Sequence, residues 1–385
     1  MVDLRHWKLS LWGALIFGLM SCGGSNDALP SKAQVNQVYV MGDSLADVGT
    51  FGYKFTIQDT SQPKGSQIWP QLVASAFGLD GSSQCNHYQV ATSETTFITS
   101  SNTRGCTNFA IGDSRIVYGS VASTNPLNLS AQMSDKSGNY SATDLVLVDG
   151  GGNDAADLVS AYLGADSAPT IFQSFLAQQL SPSEINSYLV QTNGGAMASG
   201  AYMQKLAQTF YSQVKAQLLD RGATRVAILN VPDITLTPRF QRVLQNVSDA
   251  YGGGTTGANA AASLQATIRT WISTYNTQLQ TSVGQDSRVA VVDFYADFTD
   301  EVTTPRNYSL TNVTSTACPS TGMGLDGLPE YDFPTCTVTS LDATAGKTAG
   351  WWKSYAFSDG FHPTPYGHQL LAASVSRALA RAGWL

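Results

Sequence analysis

The chain has 385 residues, 43% hydrophobic and only 13% charged, with a net charge of −7. That composition supplies a large core, enough for one big domain or two small ones. No Lys/Arg run stands out, so nucleic acid is not an expected partner.

Taken from its start, the chain opens with Arg5 and Lys8 ahead of an apolar stretch from Leu9 to Met20. The stretch is too short for a stable membrane span, and residues 1–21 read as a secretory signal. Leu19-Met20-Ser21-Cys22-Gly23 resembles a bacterial lipobox, in which Cys22 becomes the lipid-bearing first residue. The competing reading is an ordinary signal peptide cut nearby. Residues 22–35 are small, polar and aperiodic, as suits a tether. No linker or internal repeat divides the remainder, so 36–385 read as a single domain. Such a protein is expected to be exported and membrane-anchored in the periplasm or outer membrane, or otherwise secreted.

Val38-Tyr39-Val40-Met41 reads as a buried strand that Gly42 breaks. Asp43 and Ser44 follow beyond its carboxyl end, the usual place for chemistry in an open α/β sheet. A short helix starts near Ile68, and Asn108 to Ser114 looks like a second short strand ending in a glycine turn. Asp144 to Asp149 lacks polar alternation, as expected of a strand covered on both faces. A helical stripe runs through Met203, Leu206, Ala207, Phe210, Val214 and Leu218, with Gly222 as its stop. Further strands lie at Thr224–Leu229 and Arg288–Asp293, separated by a long helix from Ala258 to Leu279. Thr364 and Pro365 are the cap and first residue of a final helix. The alternation predicts an α/β fold: a three-layer αβα sandwich around a parallel sheet of about five strands.

Two stretches break that rhythm. Cys85 and Cys106 bracket a polar, turn-rich segment, and Cys318 and Cys336 lie in a weakly periodic one from about Thr303 to Tyr355. Four cysteines permit three pairings; Cys85–Cys106 with Cys318–Cys336 closes the shortest loops, at roughly 3 kcal/mol each. The second segment ends near Trp351 and Trp352, seven or eight residues before Asp359, which makes them candidates for a substrate wall or lid. Core packing of both indoles is the alternative.

Ser44 is a weak nucleophile unless a base lies within hydrogen-bond reach and an acid orients that base. With His6 inside the signal, the available histidines are His87, His362 and His368. His87 reads as a solvated loop residue and His368 as a partly exposed residue in the first turns of the last helix. His362 follows Asp359 by three, so a single turn sets carboxylate beside imidazole just before a capped helix. Gly112, without a side chain, and Asn153, with an amide donor, lie past two other strands and can serve an oxyanion, or can be a tight turn and an Asx cap. Asp149, Asp154 and Asp157 lack the spacing of a known calcium loop. With no C-x-x-C and few histidines, a zinc site is not expected either.

The ordered set Gly42-Asp43-Ser44-Leu45, the Gly112 turn, Gly152-Asn153-Asp154 and Asp359-x-x-His362 resembles the GDSL, or SGNH, hydrolases over residues 38 to 370. Ala223-Thr224-Arg225 and Asn230-Val231-Pro232-Asp233 are similar to the bacterial lipase/esterase branch, with its secreted phospholipases and lipid acyltransferases. One departure is Gly112-Asp113-Ser114, where many such relatives carry Gly-Gly-Ala. The resemblance implies Ser44 as nucleophile, His362 as base and acid, and Asp359 as its orienter. It implies an oxyanion hole of the Ser44 and Gly112 N–H groups with the Asn153 side chain, and no metal or organic cofactor. The implied reaction is hydrolysis of a lipid-like ester through an acyl-Ser44 intermediate. Acyl transfer to an alcohol, polysaccharide deacetylation and an inactive surface binding module are the rival readings.

Overall fold

The computed structural model describes residues 33–79, 84–99, 103 and 105–385; the signal segment and Cys22 lie outside them. Four strands form one parallel sheet: β1 (Gln37–Met41), β4 (Asp144–Val148), β5 (Val226–Leu229) and β6 (Val289–Val292), in the spatial order β1-β4-β5-β6. Between β1 and β4 a two-stranded hairpin pairs β2 (Gln89–Val90) with β3 (Phe97–Ile98). After β6 come β7 (Asn312–Thr316), the hairpin β8 (Gly322–Met323) and β9 (Pro329–Glu330), and β10 (Tyr355–Phe357), which pairs with β7.

The sheet has four strands, not about five. The segment expected as a second strand does run alongside β1, with Phe109 N–H donating to Val40 O and Ile111 N–H to Gly42 O. Its regular pairing is confined to a single bridge at Asn108, whose side-chain amide turns away to Ala46 O. Beyond Ile111, Gly112 leaves the ladder for the Asp47 side chain.

Strand residues alternate between two apolar faces. Val38, Val40, Leu145 and Leu147 pack against α1 (Trp69–Ala76) and, farther along the chain, residues 294–303 and 365–381. Met41, Val146, Val148 and Ile228 face α2 (Leu129–Asp135), α3 (Gly152–Leu163) and the later helices on that side. Burial on both faces is why these strands carry no polar alternation. The helices continue as α4 (Pro169–Leu176), α5 (Pro182–Leu189), α6 (Gly194–Gln217), α7 (Pro238–Ala250), α8 (Gly254–Val283), α9 (Phe294–Thr303), α10 (Val338–Asp342) and α11 (Pro365–Arg381). Helix α7, unread in the sequence, starts at Pro238 with the Thr237 hydroxyl accepting from Phe240 N–H as its cap. Thr364 caps α11 in the same way, accepting from Gly367 N–H.

Both short-loop disulfides are formed, Cys85–Cys106 and Cys318–Cys336. The second holds a small cluster in which Ile57, Leu341 and Trp352 pack. Among the described residues, no helix is long and apolar enough to cross a membrane.

Candidate active site

Ser44 stands two residues beyond the turn residue Gly42, at the carboxyl end of β1. A single turn follows it rather than a helix, closed by Ala46 and Asp47 N–H donating to Asp43 O. Gln132 on α2 grips the Gly42 peptide from the side, accepting its N–H at 2.8 Å and donating to its carbonyl at 3.0 Å. Gly42 thus has both backbone polar groups satisfied by one buried side chain, and Ser44 starts from a fixed point.

His362 Nε2 lies 2.7 Å from Ser44 Oγ, and His362 Nδ1 lies 2.9 Å from Asp359 Oδ2. The other carboxylate oxygen of Asp359 accepts the N–H groups of Phe361 and His362 at 2.8 and 2.6 Å. That tight turn is the three-residue spacing in physical form. Burial opposes ionisation of Asp359, but the adjoining His362 and the two backbone donors outweigh it and hold the carboxyl below its usual range. Phe55 and Phe333 pack against the imidazole, with ring centroids at 5.2 and 5.5 Å.

The oxyanion candidates divide. No protein acceptor among the described residues takes the Ser44 N–H. Asn153, at the start of α3, uses one amide hydrogen on Ser114 O at 3.0 Å and has a second to offer the pocket it lines. Gly112 differs from expectation: its N–H donates to Asp47 Oδ2 at 2.9 Å, and it does not line the pocket. A β carbon there would lie 2.3 Å from the Phe55 ring, so Gly112 serves close packing beside His362's aromatic neighbour. Asp113, in the departing Gly-Asp-Ser, takes the left-handed φ of 69° and pairs with Arg115.

Trp351 and Trp352 do not line the pocket at Ser44. Their indole N–H groups donate to Leu341 O and Asp342 Oδ1, partners that draw both rings into the disulfide cluster. The same long segment lines the pocket instead around its β8–β9 hairpin, through Leu328, Pro329 and Tyr331. The other histidines also depart from the sequence reading. His87 is half-buried and stacks on Phe109. His368 is fully buried, and burial drives its pKa down to about 3.

Asp154, Asp157 and Asp149 differ in their surroundings, and the Asp149 oxygens have no hydrogen-bond partner among the described residues. Asp154 accepts from Ile116 and Val117 N–H, and burial raises its pKa to about 7. Asp157 forms an ion pair with Arg115 at 2.6 Å. Asp149 is pushed well above the carboxylate range by burial and the neighbouring Asp43. Gln132, Asp47, Phe55, Arg115 and Arg239 all shape the site without having been singled out in the sequence; Asp47 alone carried a local signal, three residues past Ser44.

The family model described as GDSL-like Lipase/Acylhydrolase matches residues 38–375. No protein with a curated description matches the chain. Among solved structures, the chain is similar to phospholipase A1 from Streptomyces albidoflavus NA297, at 16% identity and a TM-score of 0.40, covering 89% of this chain and 98% of that one.

Proposed function

Because the chain belongs to the GDSL-like lipase/acylhydrolase family, we propose that it is a serine esterase acting on lipid-type carboxylic esters. The observation that carries this reading is the unbroken line from Asp359 through His362 to Ser44 at the floor of a pocket. Asp359 accepts a hydrogen bond from Nδ1–H, which keeps that proton on Nδ1 and leaves the Nε2 lone pair facing Ser44. Ser44 Oγ attacks the ester carbonyl carbon as Nε2 takes its proton. The Ser44 N–H and the second Asn153 N–H support the developing oxyanion. Collapse breaks the bond to the leaving oxygen, which receives the proton from Nε2. Water then attacks acyl-Ser44, losing its proton to Nε2, and the acid departs as Ser44 regains the proton.

An apolar wall of Phe55, Leu328, Pro329 and Phe361 favours an acyl substrate. The reading is tested with a nitrophenyl ester. Ser44→Ala and His362→Ala are expected to lose on the order of 10⁴ to 10⁶ in turnover while staying folded, and Asp359→Ala somewhat less. Near-normal turnover in folded Ser44→Ala would falsify the mechanism.

We further propose that residues 36–385 form the hydrolase domain, preceded by a signal and a lipid-bearing Cys22. Two disulfides suit an oxidising compartment. Labelled fatty acid is expected in wild-type protein made in a bacterium and absent from Cys22→Ala; equal labelling of both removes the anchor.

A further inference from the structure

Resting on the esterase reading above, we infer that the acyl chain of the substrate lies in a groove walled by α3, α7 and α8. The pocket at Ser44, about 270 Å³, has Ala156, Asp157, Arg239 and Leu328 along one edge. The same four residues form one end of a second cavity of about 990 Å³. The two cavities adjoin across these shared residues, which we take as the threshold between them.

Past the threshold the walls carry apolar side chains between uncharged polar ones such as Ser160, Asn246 and Thr267. Val159 and Leu163 of α3 and Phe240, Val243 and Val247 of α7 line it, with Leu264 of α8. Their spacing of three and four marks an apolar stripe on α3 and another on α7, which the fold leaves partly uncovered. Among the described lining residues, the charges are Asp157, Arg239 and Asp326. Asp157 and Arg239 stand at the threshold. Asp157 is paired with Arg115, and Arg239 with Asp326 at 3.3 Å. A chargeless interior behind a paired, polar mouth suits a chain whose one end is an ester.

The direction follows from α3. Asn153 and Ala156 are three apart, hence neighbours on one helix face. A carbonyl oxygen held at Asn153 directs its acyl chain along that face, away from His362, which has to stay beside the leaving oxygen. From Ala156 to Leu163 the wall is roughly 10 Å long.

The purified full-length protein is assayed with nitrophenyl butyrate, octanoate and dodecanoate. We expect kcat/KM to rise with chain length by up to about fourfold per methylene. Val243→Trp, which fills the groove, is expected to lower the dodecanoate-to-butyrate ratio at least tenfold. Val243→Asp tests the same point by charge instead of bulk, should the first variant not fold. A flat wild-type profile, or a ratio unmoved in the folded variants, overturns the groove and leaves the esterase standing. Failure to hydrolyse any ester overturns the esterase instead, and the groove is then judged by fluorescence of bound cis-parinaric acid. Displacement by dodecanoate, with binding weakened at least tenfold in Val243→Trp, supports it; no binding, or equal binding to both proteins, overturns it.

Discussion

The backbone N–H of Gly112 donates to Oδ2 of Asp47, a fully buried carboxyl three residues after Ser44. Oδ1 of the same side chain accepts from Gly49 and Thr50 N–H, both at 2.8 Å. One carboxyl therefore ties the loop after Ser44 to the strand-like segment beside β1. In Asp47→Asn the side-chain carbonyl can serve Gly49 and Thr50, but its NH₂ then faces the Gly112 N–H, donor against donor. Leaving that amide unpaired is expected to cost about 1–3 kcal/mol, read as a lower midpoint in denaturant at constant slope.

Gly42 is a second tight point. A β carbon there would lie 1.7 Å from Oδ1 of the buried Asp149. Gln132 holds the Gly42 peptide on both polar groups, so the peptide cannot simply move aside. Gly42→Ala is expected to cost roughly 1–3 kcal/mol through overpacking and to lower turnover as Ser44 shifts. Adding Asp149→Ala removes the obstructing carboxyl. The double variant should melt above the single one, and a double variant no more stable than Gly42→Ala would place the strain elsewhere.

His368 gives the fold an acid sensitivity of its own. Its pKa falls from the ordinary 6.5 to about 3 because burial, with His362 and Lys54 nearby, penalises the cation. Between those values the unfolded chain binds the proton and the folded chain does not. The contribution of His368 to stability is thus complete above about pH 6.5 and is lost as pH falls toward 3. A full proton of difference corresponds to about 1.4 kcal/mol per pH unit. His368→Leu is expected to flatten the decline in melting temperature between pH 6.5 and 4, measured against wild type in the same buffers.

Trp352 separates stability from specificity. It is buried beside the Cys318–Cys336 bridge, and its N–H donates to Asp342. Trp352→Ala is expected to cost about 3–5 kcal/mol. The chain-length preference of the remaining folded enzyme should not change, since the indole does not line the pocket. A shift in preference without a fall in melting temperature would reverse that assignment.

The parts legible in the sequence were those encoded in short runs. Strand β4 is Asp144 followed by four consecutive apolar residues, and Asp359 with His362 needs only one turn, so periodicity and spacing suffice for both. Local chemistry gave the caps as well, Thr364 on α11 among them. What escaped depends on partners far along the chain. The acceptor for Gly112 N–H lies 65 residues away, and the Gln132 grip on Gly42 spans 90. The burial of His368 follows from packing that its helix position does not announce. Trp351 and Trp352 sit close to Asp359 in sequence, yet their N–H groups found acceptors on α10 and turned away from the pocket. Helix α7 carries a local signal of its own, the Thr237 cap, Pro238 and the stripe Phe240, Val243, Leu244 and Val247.

The bond between Ser44 and His362 spans 318 positions, from the strand that opens the fold to the residues just before its last helix. Long loops close at an entropic cost, and such contacts form late. During synthesis Ser44 emerges hundreds of residues ahead of His362, so the pair cannot form until the chain is nearly complete. A chain that stops short of residue 362 lacks this bond however well its first strands pair. On the proposed mechanism, the same ordering leaves Ser44 without its base until the last residues arrive.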